Sequence, residues 1–309
     1  MAKAARATLP EPELPIVEER HFRSDNAFLC LLLNRRMKQI RVIDFRAGAL
    51  PAKRLFIQSV AQHEGVEKVI LLVEKDEVSS WTRVGFVREG TVPGFYKRSD
   101  GHLVGCVIGD KTASIEVTDA AQRLAERTVT AARKHARDLN EVLRGVTVKP
   151  VAERVALNAR DRVWRAGDEA YGSFDAFGRD ANRFYVEAIP KKGKANYLSA
   201  EHQDCFGHSL VEILRVPRTD ADVLAATAGL RAMCEDLKLK EIVSAFGFAP
   251  SDHIELSTAF VSAGFRKTGL LARGVLAGGK RSDAILWTRK LVDPSGGEGG
   301  EDELGFGDP

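Results

Sequence analysis

Apolar and polar positions along this chain fall into three blocks with different periods. In residues 26–115, FLCLLLN and MKQIRVIDF are short apolar runs on either side of Arg35 and Arg36, which predicts a hairpin. PAKRLFIQSVAQHEG then reads as a helix opened by Pro51 and closed near Gly65. KVILLVE is apolar throughout, as in a strand covered on both faces. A short helix, SSWTRVG, and two strands, FVREGTV and HLVGCVIG, complete the block. Residues 118–143 carry a helical stripe formed by Val117, Ala121, Leu124, Thr128, Ala132, Ala136, Leu139 and Leu143. Its other faces hold Arg123, Arg127, Arg133, Lys134 and Arg137, read as a solvated surface on a helix bridging two halves. Residues 157–292 open with a helix around DRVWRAGDEAYGSF. Three strands follow, RFYVEAIP, ANYLSAE and HSLVEILRV, then the helix DADVLAATAGLRAMCEDLKL. A strand EIVSAFGF, a short helix HIELSTAFVSAG and the strands FRKTGLLAR and DAILWTRKL end the block.

The first and third blocks repeat one order: strand, helix, buried strand, short helix ending in glycine, two strands. Val84-Gly85-Phe86 answers Ala263-Gly264-Phe265. In each, the glycine suits a left-handed helix end and the aromatic begins a strand.

Composition adds limits to this pattern. The 309 residues suffice for about two domains, and 44% apolar content builds an ordinary core. A net charge of +3 implies neither a nucleic-acid nor a membrane partner, and no apolar run reaches membrane-spanning length. Cys30, Cys106, Cys205 and Cys234 show no metal-type spacing and read as free thiols, so no metal is expected and the compartment is expected to be cytoplasmic. Residues 1–25 read as a disordered arm and 116–156 as a helical linker. The segment 293–309, with six acids, six glycines and no base, reads as a flexible acidic tail.

The unit of helix, strand, short helix, Gly-Phe and two strands resembles the C-terminal half of the GNAT acetyltransferase fold. Pro93, Gly94, Phe95, Tyr96, Lys97, Arg98 and Asp100, together with Gly278, Ser282 and Trp287, resemble segments of beta-lysine N-acetyltransferases within that superfamily. The resemblance implies an α/β protein with a mixed sheet: a GNAT-like domain (157–292) preceded by a half-GNAT repeat (26–115) and joined to it by a long helix. It also implies acetyl-CoA as cofactor, with the pyrophosphate held on a glycine-rich loop at the start of the long helix of the third block.

That place is held by Val216, Arg218, Thr219 and Asp220, with no glycine. Thr219 is a good N-cap and Asp222 completes a capping box. The carboxylates of Asp220 and Asp222 satisfy the helix end and oppose a diphosphate, leaving Arg218 as the one phosphate partner. The equivalent loop of the first block, Asp44 to Arg54, has one glycine and three bases and suits an anion better. The candidate catalytic base is Glu212 on HSLVEILRV, acting through water. The position of a general-acid tyrosine is Phe260, which has no proton to give. Glu187 and Glu201 are candidate substrate acids, and His208 reads as a packed histidine. Two functions are therefore expected. One is a degenerate GNAT protein that binds, scaffolds or regulates, contacting a protein partner through the basic helix or acidic tail. The other is an active N-acetyltransferase of a beta-lysine-like amine.

Overall fold

The computed structural model describes residues 14–24, 27–45, 50–109, 116–139, 145–167, 169–203 and 205–293. The N-terminal unit contains β1 (Val17–Ser24), β2 (Ala27–Asn34), β3 (Gln39–Phe45), α1 (Leu50–His63), β4 (Lys68–Val73), α2 (Val78–Arg83), β5 (Val87–Val92) and β6 (Gly101–Val107). The long helix α3 (Asp119–Leu139) follows. The C-terminal unit contains β7 (Val146–Val151), α4 (Glu153–Ala166), β8 (Asn182–Pro190), β9 (Asn196–His202), β10 (His208–Ile213), α5 (Asp220–Leu239), β11 (Ser244–Pro250), α6 (Ile254–Ser262), β12 (Arg266–Ala277) and β13 (Lys280–Lys290). This is the mixed α/β layout that the resemblance implied.

Among the described residues, thirteen strands form one sheet in the order β1-β2-β3-β4-β6-β5-β12-β13-β11-β10-β9-β8-β7. The units meet at β5 and β12 through one bridge, Gly90 opposite Gly269. A Cβ on Gly269 would lie 2.4 Å from the Glu89 carbonyl oxygen, so this seam needs glycine. Each unit contains one parallel pair, β3 with β4 and β10 with β11. Each also contains the same turn. Gly85 and Gly264 have φ of +89° and +84°, and the next residue's N–H bonds five residues back, Phe86 to Trp81 and Phe265 to Phe260. The ring pairs Trp81–Phe86 and Phe260–Phe265 are edge-on at 5.1 and 5.2 Å.

One apolar core is shared. Ile70, Leu72, Val92, Phe95 and Leu103 of the first unit join the core built on α5 and β10–β13. A second core, with Leu31, Ile57 and Trp81, lies on the first unit's other face.

Four expectations differ from the structure. Residues 17–24 are not part of a disordered arm but an edge strand that pairs along its whole length with β2. The linker assigned to 116–156 contains strand β7, which pairs with β8 and belongs to the C-terminal unit. The helix expected around 161–174 spans Glu153–Ala166 and stops at Gly167 (φ +85°), whose N–H returns to the Val163 carbonyl. On α3 the buried face is Ala125, Thr128, Val129, Ala132, Ala136 and Leu139, while Leu124 is exposed, because α6 and β12 choose the face that packs. The proposed acidic tail, from residue 294 on, lies outside the described residues, as do residues 46–49 of the first unit's basic loop.

Candidate functional site

In open α/β sheets, ligands enter the crevice beyond the carboxyl ends of adjacent parallel strands. Here that crevice lies between β10 and β11, which pair only from His208–Leu210 against Ser244–Phe246. Beyond Leu210, β10 keeps β9 on one side, and its other edge faces the opening.

The chain's own residues fill that edge. Past Gly167, residues 169–172 run antiparallel to 213–216. The Tyr171 N–H donates to the Leu214 carbonyl at 2.9 Å, and the Gly172 N–H to the Ile213 carbonyl at 2.9 Å. In return the Val216 N–H donates to the Glu169 carbonyl at 3.3 Å. Gly172 is required, since a Cβ there would sit 2.6 Å from the Ile213 oxygen. On the β11 side, the Tyr171 hydroxyl donates to the Phe248 carbonyl at 2.6 Å. Trp164 on α4 anchors the segment by donating Nε1–H to the Gly172 carbonyl at 2.9 Å. The first unit has the same device: the Tyr96 hydroxyl donates to the Leu72 carbonyl at 2.9 Å. Leu72 and Phe248 each stand four residues beyond the first parallel partner, Lys68 and Ser244.

Glu212 lies on β10 facing this segment. Its Oε1 accepts the Ser173 N–H at 3.1 Å and the Phe174 N–H at 3.4 Å, and its Oε2 accepts the Ser199 hydroxyl at 3.3 Å. Burial raises its pKa against the opposing pull of Arg183. The carboxylate therefore holds the segment in place. Phe260 is buried and stacks on Trp287 at 6.1 Å.

The four residues at the start of α5 are placed together, but their groups are engaged. The Val216 N–H serves Glu169, and the Arg218 and Thr219 N–H groups donate to the Asp222 carboxylate at 3.2 and 3.1 Å. Thr219 and Asp222 form the expected capping box. The Asp220 carboxylate meets His135 of α3 at 3.0 Å. Arg218 shares a basic recess with Arg162, Lys194 and Arg215 between α4 and β9.

Glu187 accepts the Tyr197 hydroxyl at 2.7 Å and pairs with Lys149 at 3.0 Å. Glu201 accepts the N–H groups of Phe177 and Gly178 at 3.0 and 2.6 Å and pairs with Arg183. His208 is buried and stacks on Phe95 at 3.6 Å, with burial pushing its pKa down to about 3.

Sequence reasoning missed two groupings. Arg36, Arg160 and Asn34 surround Asp175, and Arg41 lines a cavity of about 90 Å³ between the units. A charged residue inside the apolar strand IRVIDF was the one available signal. The second grouping is Glu19, His21 and Cys30, whose donor atoms lie within 4.8 Å of one another. It forms because His21 sits opposite Cys30 across β1–β2, and Arg179 bridges it, 2.9 Å from both Glu19 and Cys30.

No family model and no curated protein matches the chain. Among solved structures it is similar to an acetyltransferase-assigned protein from Sphaerobacter thermophilus, at 16% identity over 48% of this chain and 94% of that one, with a TM-score of 0.35. It is also similar to spermidine N-acetyltransferase from Vibrio cholerae in complex with CoA and spermine, at 9% identity over 48% and 98%, TM-score 0.37. A third is YncA from Salmonella typhimurium, assigned as an acetyltransferase and solved with acetyl-CoA, at 11% identity over 48% and 95%, TM-score 0.37.

Proposed function

We propose that this chain is a degenerate GNAT-fold protein that acts by binding, as a scaffold or regulator, rather than by acetyl transfer. The observation that carries the reading is the filled crevice. The backbone edge of residues 213–216, which an amide-bearing arm such as that of acetyl-CoA would pair with, is paired with residues 169–172. The residues at the helix start do not fit a diphosphate either. Three of their N–H groups serve the chain's own acceptors, and Asp220 and Asp222 put two carboxylates there. Two acids cost a bound phosphate about 1–2 kcal/mol, and each lost charged hydrogen bond adds about 1.5–3 kcal/mol. Together these take a micromolar site to millimolar or weaker. Repetition of the Gly-Phe turn, the parallel pair and the tyrosine–carbonyl bond in both units supports duplication of a half-domain. The exposed row Arg123, Arg127, Arg133, Lys134 and Arg137 on α3 is the proposed contact face for a protein partner.

Calorimetric titration of the full chain with acetyl-CoA tests the reading. No heat of binding at micromolar cofactor is expected. Micromolar binding that Arg218→Ala leaves intact defeats it. The second reading, transfer to an amine with Glu212 as base, requires residues 169–174 to leave the crevice. Turnover that Glu212→Gln abolishes would establish it.

A further inference from the structure

The outer edge of the first unit carries three different metal-type donors on one face. Glu19 and His21 alternate along β1, and Cys30 of β2 stands opposite His21. One oxygen, Glu19 Oε2, lies 3.4 Å from His21 Nε2 and 3.8 Å from Cys30 Sγ. The three donor atoms all fall within 4.8 Å of one another. With bonds of about 2.0–2.2 Å to nitrogen and oxygen and about 2.3 Å to sulfur, a tetrahedral zinc ion holds its ligands roughly 3.3–3.7 Å apart. Both measured separations are close to that spacing. Glu18 and Arg20 alternate to the other face, where they meet Arg35 and Glu64. Arg23, next on the donors' face, lies over the Phe28 ring at 5.5 Å.

The donors already hold a cation. Arg179 Nη2 sits 2.9 Å from both Glu19 Oε2 and Cys30 Sγ, and its Nε donates to Glu19 Oε1 at 3.0 Å. The carboxylate suits that guanidinium, but a thiol sulfur is a weak acceptor for it. The Arg179 side chain is 37% exposed, so it can swing into solvent without opening the core. Glu19 and His21 are exposed and Cys30 is buried, so an ion reaches the thiol from the solvent side. We propose that Glu19, His21 and Cys30 form a zinc-type metal site for which Arg179 competes. Charge and protons balance. Arg179 and Glu19 make a neutral pair beside a thiol that donates to Glu19. A divalent ion takes the carboxylate, the neutral imidazole and the thiolate, the Cys30 proton leaves to solvent, and the site stays neutral. Water completes the fourth position. Arg179 precedes β8, whereas the three ligands belong to β1 and β2. Metal therefore exchanges a tie between the units for a staple between two strands of the first. This holds whether or not the C-terminal unit binds acetyl-CoA.

The test is titration of the full chain, reduced and chelator-treated, with zinc and with cobalt(II). Saturable zinc binding that releases about one proton is expected. Cobalt should give a thiolate-to-metal charge-transfer band and tetrahedral d–d absorption. Cys30→Ser should abolish the charge-transfer band, whereas Cys205→Ser, at the exposed cysteine, should keep it. His21→Ala, on an exposed edge, should weaken zinc binding by about tenfold or more, and it serves if Cys30→Ser fails to fold. Arg179→Ala should tighten zinc binding several-fold, which a merely structural cluster would not do. No charge-transfer band in the wild type, a band that survives Cys30→Ser, zinc affinity unchanged in His21→Ala, or affinity unchanged or lowered in Arg179→Ala overturns the proposal.

Discussion

Lys68 and Glu89 form an ion pair from which water is excluded, with side chains 0% and 2% exposed and 2.6 Å between Nζ and Oε1. The pair also joins the units, since Lys68 donates to the Ala272 carbonyl at 2.8 Å and Glu89 accepts the Ala272 N–H at 3.0 Å. Removing one partner strands the other, so Glu89→Gln or Lys68→Met should each cost about 3–5 kcal/mol in denaturant unfolding. Replacing both by apolar residues should cost less than the sum. His208 gives a pH prediction. Its folded pKa, about 3, lies below its ordinary 6.5 because burial disfavours the imidazolium. Below pH 6.5 the unfolded chain binds a proton that the native one does not. The stability held above that pH is therefore lost as pH falls toward 3, by on the order of 4 kcal/mol. His208→Phe should flatten the stability profile between pH 6.5 and 3, as read by unfolding at each pH.

Among the elements, those fixed by local signals were legible in the sequence. The capping box predicted α5, which starts at Asp220 after Thr219. The apolar run KVILLV predicted a strand covered on both faces, and every residue of β4 is buried. Glu212 is on the expected strand, but its partners come from residues 173–174 and 199, which no local pattern could assign. Helix α4 was placed too far along because Gly167 is one residue in a polar stretch, and its left-handed turn shows only when Trp164 folds back onto Gly172. Arg41 was legible only as an oddity, since its surroundings come from a unit more than a hundred residues away. The seam between β5 and β12 gives an element-scale prediction. A Cβ on Gly269 would meet the backbone of Glu89 and Gly90 at 2.4 and 2.6 Å, so the strands must part. Gly269→Ala should destabilise by about 1–3 kcal/mol. Gly109→Ala, with nothing within 4 Å of the new Cβ, should be near neutral in the same melt.

At the scale of the molecule, two units share one sheet and one core. Ile70, Leu72 and Phe95 would face water without the C-terminal unit, and Phe246 and His208 would both lose Phe95. Units that expose such surfaces on separation unfold together. Trp81 lies in the first unit and Trp287 in the second. Single-tryptophan variants retaining one or the other should report the same denaturant midpoint. Midpoints separated beyond error would show two independent domains. For the same reason residues 116–293 produced alone should be less stable than the full chain.

The segment 169–172 is a ligand that never diffuses away. A rival for the backbone edge it covers competes with a tethered partner whose effective concentration is set by a few residues of chain, in the millimolar range or above. If its closure is worth a net ~3 kcal/mol, the crevice is open in about one molecule in 150. A visitor that would bind the open crevice at 1 μM would then register near ~150 μM, with no change in its own contacts. Selection acting on the strength of the Tyr171 and Trp164 bonds would move that threshold without touching a single residue that meets the visitor.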